Sequence, residues 1–431
     1  MPDVPSPSRE AARRLVAGCA LTLAASVGLG DDLRSAPGGR LGARAVHLDL
    51  PHLGTTQVLV PRATPTGVVL WLHRQGSEAE RAAFAEAVPW HVLLVDVDTT
   101  RLEGGRAHTC RRLADQLEDI SRRAQRDAGL TAYLRPVIVS TAGALPVARA
   151  VVAAAPLQAV PAAVAVGAEA TTVPVSCEAI DRRGEPPAAW RFAPTPQALR
   201  SPLEEALAAA TQEPPHEITP IQRWLQHFDL PLTAAWSSQP RAMLVLLSSA
   251  RGWRQPEEAL AHQLADQGVH VVGIDALRSF WQRRSPRDVA LELQRLTDAL
   301  ATTGLPVYIG GREFGAETIA VVGEMMTPTR RITGVVLVDP GPTAFFEVEP
   351  PALPLRAMSP ADWSTHVAVA DLDRPTLCVT HAQGTATVPV CQALAAAGRA
   401  RVIETNGRAD VLATEIATFV KQRDHSPLGT H

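Results

Sequence analysis

The chain has 431 residues. Single hydrophobic cores stop growing near about 250 to 300 residues, so this length favours two or more domains. A formal net charge of −3 excludes the global basic field that a nucleic-acid-binding surface needs, and no nucleic-acid partner is predicted.

The first 30 residues have the pattern of a secretory signal peptide. Arg13 and Arg14 precede an uncharged run, Leu15 to Gly30, which ends in small residues. That run is shorter than the ~20 residues that span a bilayer, which favours a cleaved signal over an anchor. We expect residues 1–30 to be the signal of an exported protein, with lipidation at Cys19 as an alternative.

Four cysteines would remain after removal of that signal, and an even number suits an oxidising compartment. Four cysteines allow three pairings. Grouping by domain favours Cys110 with Cys177 and Cys378 with Cys391, and four buried free thiols are the alternative. No cysteine spacing resembles a CxxC zinc or redox motif, so the sequence predicts no metal and no cofactor.

Short apolar runs alternate with amphipathic segments in two successive stretches of the chain. The first stretch predicts strands at Val68–Leu72, Val92–Asp96, Val137–Val139 and Ala162–Val166, with helices over residues 106–128 and 144–155. The second predicts strands at Met243–Leu247, Val269–Ile274, Val307–Ile309, Val335–Val338, Leu377–Val379 and Arg401–Ile403. Continuous apolar strands separated by helices are typical of parallel sheets covered on both faces. The pattern predicts an α/β protein with two tandem, doubly wound, mainly parallel sheets.

The two stretches follow one another in the same order, which indicates an internal duplication. Between them, residues 176–226 are rich in Pro, Ala and Glu, and Glu213-Pro-Pro215 is an evident break. We therefore predict an N-terminal domain over residues 44–175, a linker over residues 176–226 and a C-terminal domain over residues 227–422.

The segment from Val307 to Ala316 has the form of a nucleophile elbow. In α/β-hydrolases a G-x-S-x-G turn follows an apolar strand, and its glycines let strand and helix approach closely. Here Gly311 and Gly315 keep that frame, but Glu313 stands where the serine would be. An α/β-hydrolase-like fold is therefore indicated without the usual nucleophile.

Polar residues after two other strands are candidate binding residues: Ser248 and Trp253 after one, Asp275 and Arg278 after the next. The planar fork of an arginine suits phosphate oxygens, which makes Arg278 a candidate phosphate ligand. The alternative is that Asp275 and Arg278 pair to fix their loop. Asp339 stands where an acid of this fold may lie, although Asp-Pro-Gly is commonly a plain turn.

Three segments resemble the AcvB/VirJ family of bacterial periplasmic virulence proteins. Asp275-Ala-Leu-Arg-Ser-Phe-Trp281 is similar to the family's D-S-L-R-Y-F-W, and Leu247–Trp253 to its L-S-G-D-G-G-W. Ile309–Ala316 is similar to I-G-Y-S-F-G-A. The N-terminal half, with Val95–Thr99, resembles the extra domain of the longer AcvB form. The resemblance implies a periplasmic, α/β-hydrolase-like protein that hydrolyses the aminoacyl ester of lysyl-phosphatidylglycerol.

The chain departs from that family at the residues that carry the chemistry. Glu313 replaces the serine, Ala250 and Arg251 replace an Asp-Gly pair, and no histidine occurs in Thr405–Asp410, where the resemblance places the base. His425 lies in a polar tail. The N-terminal half offers Ser140 and Thr141 without the leading glycine.

We therefore predict a degenerate hydrolase, associated with virulence, that serves as a binding or regulatory module at the envelope. The predicted partners are aminoacyl-phosphatidylglycerol or another envelope lipid, and a periplasmic protein. Two alternatives remain: an active serine-type lysyl-phosphatidylglycerol hydrolase, and an enzyme in which Glu313 itself is the nucleophile.

Overall fold

The computed structural model describes residues 43–50, 54–75, 78–103, 110–155, 159–168, 189–211, 225, 228, 230–326, 332–348, 363–365, 374–381 and 388–422. These residues belong to one compact unit, Arg40–His431. The predicted signal peptide, Cys19, Cys177 and His425 lie outside the described residues.

The N-terminal half contains a seven-stranded sheet of order β1-β2-β4-β3-β5-β6-β7. Strands β1, β2 and β4 pair antiparallel, and the other neighbours pair parallel. The strands are β1 (Arg44–Leu50), β2 (Gly54–Val60), β3 (Gly67–His73), β4 (Val92–Asp98), β5 (Pro136–Thr141), β6 (Ala162–Val166) and β7 (Ala189–Ala193). The helices are α1 (Glu78–Ala87), α2 (Thr99–Glu103), α3 (Cys110–Asp127), α4 (Leu145–Ala154) and α5 (Arg200–Thr211).

The C-terminal half contains a second seven-stranded sheet, of order β16-β15-β12-β11-β9-β10-β8, in which only the pairing of β8 with β10 is antiparallel. Its strands are β8 (Leu232–Ala235), β9 (Ala242–Leu247), β10 (Val269–Ile274), β11 (Val307–Arg312), β12 (Ile332–Val338), β15 (Thr376–His381) and β16 (Ala400–Thr405). A two-residue pair, β13 (Thr343–Ala344) and β14 (Trp363–Ser364), lies apart from it. The helices are α6 (Gln255–Asp266), α7 (Ala276–Ser279), α8 (Pro286–Leu300), α9 (Phe314–Met325), α10 (Val388–Ala396) and α11 (Ala409–Gln422).

The predicted fold class is confirmed. Each sheet has antiparallel pairing at one end and parallel pairing over the rest. Six consecutive strands have the same crossover order in the two sheets, β2-β4-β3-β5-β6-β7 in the first and β8-β10-β9-β11-β12-β15 in the second. The central strands β3, β6, β9 and β10 are buried along their whole length, because helices cover both faces. No helix within the described residues is long and apolar enough to cross a bilayer.

The predicted linker needs correction over residues 189–211. Strand β7 pairs with β6 along its whole length and forms the outer edge of the first sheet. Helix α5 buries Leu203 and Ala206 in the core beside that edge. Proline and alanine are common in this stretch because it contains a short edge strand and an alanine-rich helix, both of which complete the first half.

One predicted disulfide is present, between Cys378 in β15 and Cys391 in α10. Both residues are buried in the core of the second half. Cys110 is also disulfide-bonded, and its predicted partner, Cys177, lies outside the described residues.

The two halves pack against each other through an aromatic and basic cluster. The indole Nε1 of Trp281 donates a hydrogen bond to the carbonyl of Leu130 at 2.8 Å, which links α7 to the turn after α3. The guanidinium of Arg126 lies 4.1 Å from the Trp281 ring centroid and donates to the carbonyl of Val348 at 2.6 Å. Trp281 is 2% exposed, so the contact between the halves is dry at this point.

Replacement of Trp281 with alanine should lower the free energy of unfolding by about 3 to 5 kcal/mol, because it removes a buried aromatic side chain and leaves a carbonyl unpaired. Urea denaturation of the purified protein measures this loss. Trp363→Ala is the matched control, since Trp363 is 41% exposed and should lose less than about 1 kcal/mol. Equal losses in the two variants would contradict this account of the contact.

Candidate functional site

The turn between β11 and α9 has the backbone of a nucleophile elbow. Glu313 has φ 50° and ψ −116°, a conformation that side-chain-bearing residues rarely adopt. A Cβ at Gly311 would overlap the backbone of Gly315, and a Cβ at Gly315 would overlap the carbonyl of Leu247. The two glycines therefore allow strand and helix to meet tightly enough to force this turn, as the motif predicts.

The backbone of Glu313 is hydrogen-bonded within the sheet edge, and its side chain is half exposed. Its amide donates to the carbonyl of Val338 at 2.8 Å, whereas its side chain is 51% exposed. Its carboxylate lies 3.7 Å from Nη2 of Arg312. Arg312 also lies 3.4 Å from the carboxylate of Glu257, which is 1% exposed. Burial raises the pKa of Glu257, and the Arg312 charge opposes that rise.

A histidine and an aspartate form a pair at the same sheet edge. The aspartate lies one strand from the elbow, and the histidine lies two strands from it. Asp339 follows β12, and His381 ends β15. The imidazole Nδ1 of His381 pairs with the carboxylate of Asp339, and the His381 amide donates to the same carboxylate at 2.9 Å. This resembles the acid–base pair of a catalytic triad.

The orientation of the imidazole, and not the order of the strands, separates this pair from the elbow. The strands run β11, β12, β15 and β16, so the position of the nucleophile, the acid and the histidine follow one another as in an α/β-hydrolase triad. The other edge of the His381 imidazole, with Cδ2 and Nε2, packs against Gly407 after β16. A Cβ added to Gly407 would overlap this edge. In a working triad the histidine lies between the acid and the nucleophile, with Nε2 towards the nucleophile. Here Nε2 is directed away from the elbow.

The pairing of Asp339 with His381 was not predicted. The resemblance placed the base after the last strand, and Thr405–Asp410 indeed contains no histidine. A signal was present in the sequence, because both residues directly follow apolar strands, and the carboxyl ends of parallel strands meet at one edge. Which way the imidazole faces depends on its packing against Asp339 and Gly407, which the sequence does not state.

Glu317 adds a titratable carboxyl one turn into α9. Its Oε1 accepts a hydrogen bond from the amide of Gly341 at 3.1 Å, which ties α9 to the loop after β12. Burial raises the pKa of Glu317 to about 7; the Gly341 hydrogen bond opposes the rise, and the charge of Glu313 adds to it. This carboxyl is thus partly protonated near neutral pH.

Ser248 and Trp253, predicted to bind a ligand, are structural residues here. The hydroxyl of Ser248 is fully buried, donates to the carbonyl of Ser249 at 3.1 Å and accepts from the amide of Ala276 at 2.9 Å. The Trp253 ring lies directly over Gly273, where a Cβ would overlap it. Both side chains hold the loop after β9 against β10.

Asp275 and Arg278 also have a structural role in the loop after β10. The Asp275 carboxylate caps α7 by accepting from the amide of Arg278 at 3.2 Å. Desolvation raises the pKa of Asp275, and the Arg278 charge is the largest influence that opposes it. Phe280 and Trp281 are buried next to this loop. This geometry fits the alternative prediction that Asp275 and Arg278 fix the loop. The contact between them is made by the backbone amide of Arg278.

A cavity of about 190 Å³ lies between the two halves, next to the elbow; we call it the interdomain cavity. Its wall from the first half is largely apolar, with α3 contributing two acids. Its wall from the second half is charged. Its charged lining residues are Asp115, Glu118, Arg251, Arg254, Glu257, Arg312 and Glu313. This cavity is large enough for a small polar group beside Glu313, whereas His381 and Asp339 are not part of its lining.

The N-terminal half has no equivalent elbow. Thr141, at the end of β5, has φ −72° and ψ 162°, an ordinary extended backbone, and Ser140 is fully buried. The ring of His73 pairs with Asp96 in the core rather than with either residue. Within the described residues, no group of His, Cys, Asp and Glu side chains is arranged to hold a metal ion.

Comparison with known families identifies one segment. Residues 241–353 match the model of the bacterial virulence protein family VirJ. This segment contains the elbow and the loops after β9 and β10, and it confirms the resemblance for the C-terminal half. The resemblance of the N-terminal half to the extra AcvB domain stays a prediction. No curated protein matches the chain in sequence.

Solved structures similar to part of the chain are α/β-hydrolase-like proteins. TT1662 from Thermus thermophilus is 20% identical, covers 46% of this chain and 95% of its own, and aligns with a TM-score of 0.35. A dienelactone hydrolase from Anabaena variabilis is 16% identical, with 49% and 97% covered and a TM-score of 0.35. An esterase domain from Rhodothermus marinus is 13% identical, with 44% and 91% covered and a TM-score of 0.32. Such likeness is too weak to transfer an activity.

Replacement of Gly315 with alanine should destabilise the protein by at least about 3 kcal/mol or prevent folding, because the added Cβ would overlap the Leu247 carbonyl. Gly143 is the matched control, since it lies between strand and helix at the corresponding place in the first half. A Cβ there meets only the Arg74 Cβ, at 3.6 Å. Thermal unfolding should show Gly143→Ala close to wild type. A stable Gly315→Ala protein would contradict the tight elbow.

Replacement of Glu317 with glutamine should make stability less dependent on pH. The folded-state pKa of about 7 lies above the ordinary value of 4.5, so the stability contribution of the neutral carboxyl is complete below about pH 4.5 and is lost as pH rises through 7. The free energy of unfolding is measured with urea at pH 5 and at pH 8. At pH 5 wild type and variant should have similar values. At pH 8 the variant should be more stable by about 1 to 3 kcal/mol. An equal difference at both pH values would contradict the raised pKa.

Proposed function

Because residues 241–353 are a VirJ-type segment on a hydrolase fold, we propose that this protein is a virulence-associated pseudohydrolase of the bacterial envelope. In this proposal the protein is exported to the periplasm and serves as a binding or regulatory module. Its partner is aminoacyl-phosphatidylglycerol or another envelope lipid, or a periplasmic protein.

The observation that carries the proposal is the placement of groups around the elbow. Acyl transfer requires a nucleophile and a base within hydrogen-bond reach, and an acid behind the base. Position 313 supplies a carboxylate instead of a hydroxyl, and the Nδ1 of His381 is paired with Asp339. The imidazole Nε2 is directed to Gly407, so it has no reacting group to deprotonate at the elbow.

The retained features support binding instead. The strained turn persists at Glu313, and the interdomain cavity opens beside it. A fold that had lost all use of this cleft would gain stability by relaxing such a turn, since strained residues cost about 1 to 3 kcal/mol each. The charged wall of the cavity offers polar groups that orient a ligand without reacting with it.

The active hydrolase is the second candidate, and the Asp339–His381 pair is the observation in its favour. A carboxylate at the elbow can form an ester intermediate, which a histidine base would then help water to hydrolyse. That route needs the imidazole to turn so that Nε2 faces the elbow. Such a turn would break the Nδ1 contact with Asp339, which holds the ring in its present orientation.

The proposal is tested by release of lysine from vesicles of phosphatidylcholine and lysyl-phosphatidylglycerol, with wild type, Glu313→Ala and Glu313→Ser. We expect no turnover above the vesicle background in any of the three. The serine variant should stay inactive because the nearby imidazole faces away from position 313. Flotation of the same vesicles measures binding, which should be retained in all three.

Glu324→Ala is the matched control, since Glu324 is exposed at the far end of the same helix. Turnover by wild type that disappears in Glu313→Ala but not in Glu324→Ala would establish a carboxylate-based enzyme and overturn the proposal. Turnover that survives Glu313→Ala would move the chemistry to another site and overturn it as well.

A further inference from the structure

A cluster of arginines lies at the start of α6, where the second half faces the first. Arg254 directly precedes the helix, and its side chain is 11% exposed. Arg251 lies in the same loop after β9, and Arg312 lies across the interdomain cavity from them, next to the elbow. Ligands of open α/β sheets bind at the carboxyl ends of strands, which is where this loop begins.

Two carboxylates from the other half pair with two of these arginines, Arg251 and Arg254, whereas Arg312 pairs with Glu257 and Glu313 of its own half. Asp115 and Glu118 lie one turn apart on α3, and both pair with the guanidinium of Arg254. Asp115 also approaches Nη1 of Arg251 at 3.2 Å. The fork of a guanidinium presents parallel donors that fit carboxylate and phosphate oxygens alike. The Asp115 and Glu118 oxygens thus stand where the oxygens of a bound oxyanion would stand.

The start of α6 has the electrostatics of an anion site. Arg254 adds a full positive charge to the partial positive charge of the helix start, where Pro256 lacks an N–H and Glu257 and Glu258 supply negative charge in the first turn. Burial lowers the pKa of Arg254, and the Asp115 carboxylate opposes that effect. A buried guanidinium left without an anion costs several kcal/mol, so a ligand that displaced α3 would have to bring its own negative charge.

The first half determines the sign of the charge in the cleft. The second half contributes three arginines and two carboxylates to the interdomain cavity, whereas α3 contributes two further carboxylates and no basic residue. Without α3 the cavity would be basic. With α3 docked, four carboxylates face three arginines, and α3 engages Arg251 and Arg254.

We propose that Arg251, Arg254 and Arg312 form a binding site for an oxyanion, a phosphate or a carboxylate, and that α3 occupies this site in the closed protein. Asp115 and Glu118 act as an internal competitor. The ligand binds when these carboxylates leave. This proposal rests on the proposed function only in treating the cleft as a binding site. It requires no catalytic turnover, and anion binding is measured without a turnover assay.

The test compares wild type with Asp115→Asn/Glu118→Gln. Isothermal titration with inorganic phosphate and with acetate should show affinity at least about tenfold higher in the double variant for one or both anions. Addition of Arg254→Gln to the double variant should abolish the gain. Glu205→Gln is the control, since Glu205 pairs with Arg191 at the surface of the same half, 3.0 Å away. It should bind like wild type.

Vesicles distinguish a lipid headgroup from a free anion. Flotation with phosphatidylglycerol in phosphatidylcholine, against phosphatidylcholine alone, should show the same ranking of variants if a lipid phosphate is the ligand. A gain confined to free phosphate or acetate would support the site with a soluble ligand. A double variant that binds no better than wild type, or a gain that survives Arg254→Gln, would overturn the proposal.

The double variant leaves Arg254 without its carboxylates and can destabilise the contact between the halves, so a measurement on wild type is included. Amide hydrogen exchange of α3 should increase by a factor of about three or more in phosphate, compared with chloride at equal ionic strength. Unchanged exchange, together with no binding of either anion by wild type, would overturn the proposal whatever the variant does.

Discussion

The close approach of β11 and α9 is the constraint on which the site depends. Two positions without a Cβ, Gly311 and Gly315, let the helix backbone touch the strand and the carbonyl of Leu247. That contact forces the residue between them into a strained, positive-φ conformation and presents its side chain at the sheet edge. The backbone thus specifies a nucleophile position, and the occupant, Glu313, is a separate matter. With Glu313 at this position the turn has the backbone of an elbow.

The orientation of one imidazole decides whether the polar groups at that edge can cooperate. Asp339 and His381 form a pair with the contacts expected of an acid and its base, and both lie within two strands of the elbow. The imidazole Nδ1 faces Asp339, and the edge with Nε2 packs against Gly407 after β16. A catalytic arrangement would need Nε2 to face the elbow instead.

The first half gives the cleft its charge and part of its wall. Helix α3 reaches across the second half with Asp115 and Glu118 at one end and Arg126 at the other. The ion pairs lie at the start of α6, and the aromatic contact lies at Trp281. The first half lacks an elbow of its own, since the backbone at Thr141 is ordinary. Helix α3 therefore supplies both of these contacts with the second half.

Sequence periodicity predicted the two tandem parallel sheets, a short motif predicted the elbow, and grouping by domain favoured the Cys378–Cys391 disulfide, because each depends on local pattern or on short spacing. It misassigned residues 189–211, since an edge strand with exposed residues lacks the apolar run of a central strand. Only the tertiary structure decided that Asp339 pairs with His381 and that α3 covers the arginines after β9. These contacts join residues more than 40 positions apart, and their partners are selected by strand order and domain docking, which no local pattern encodes.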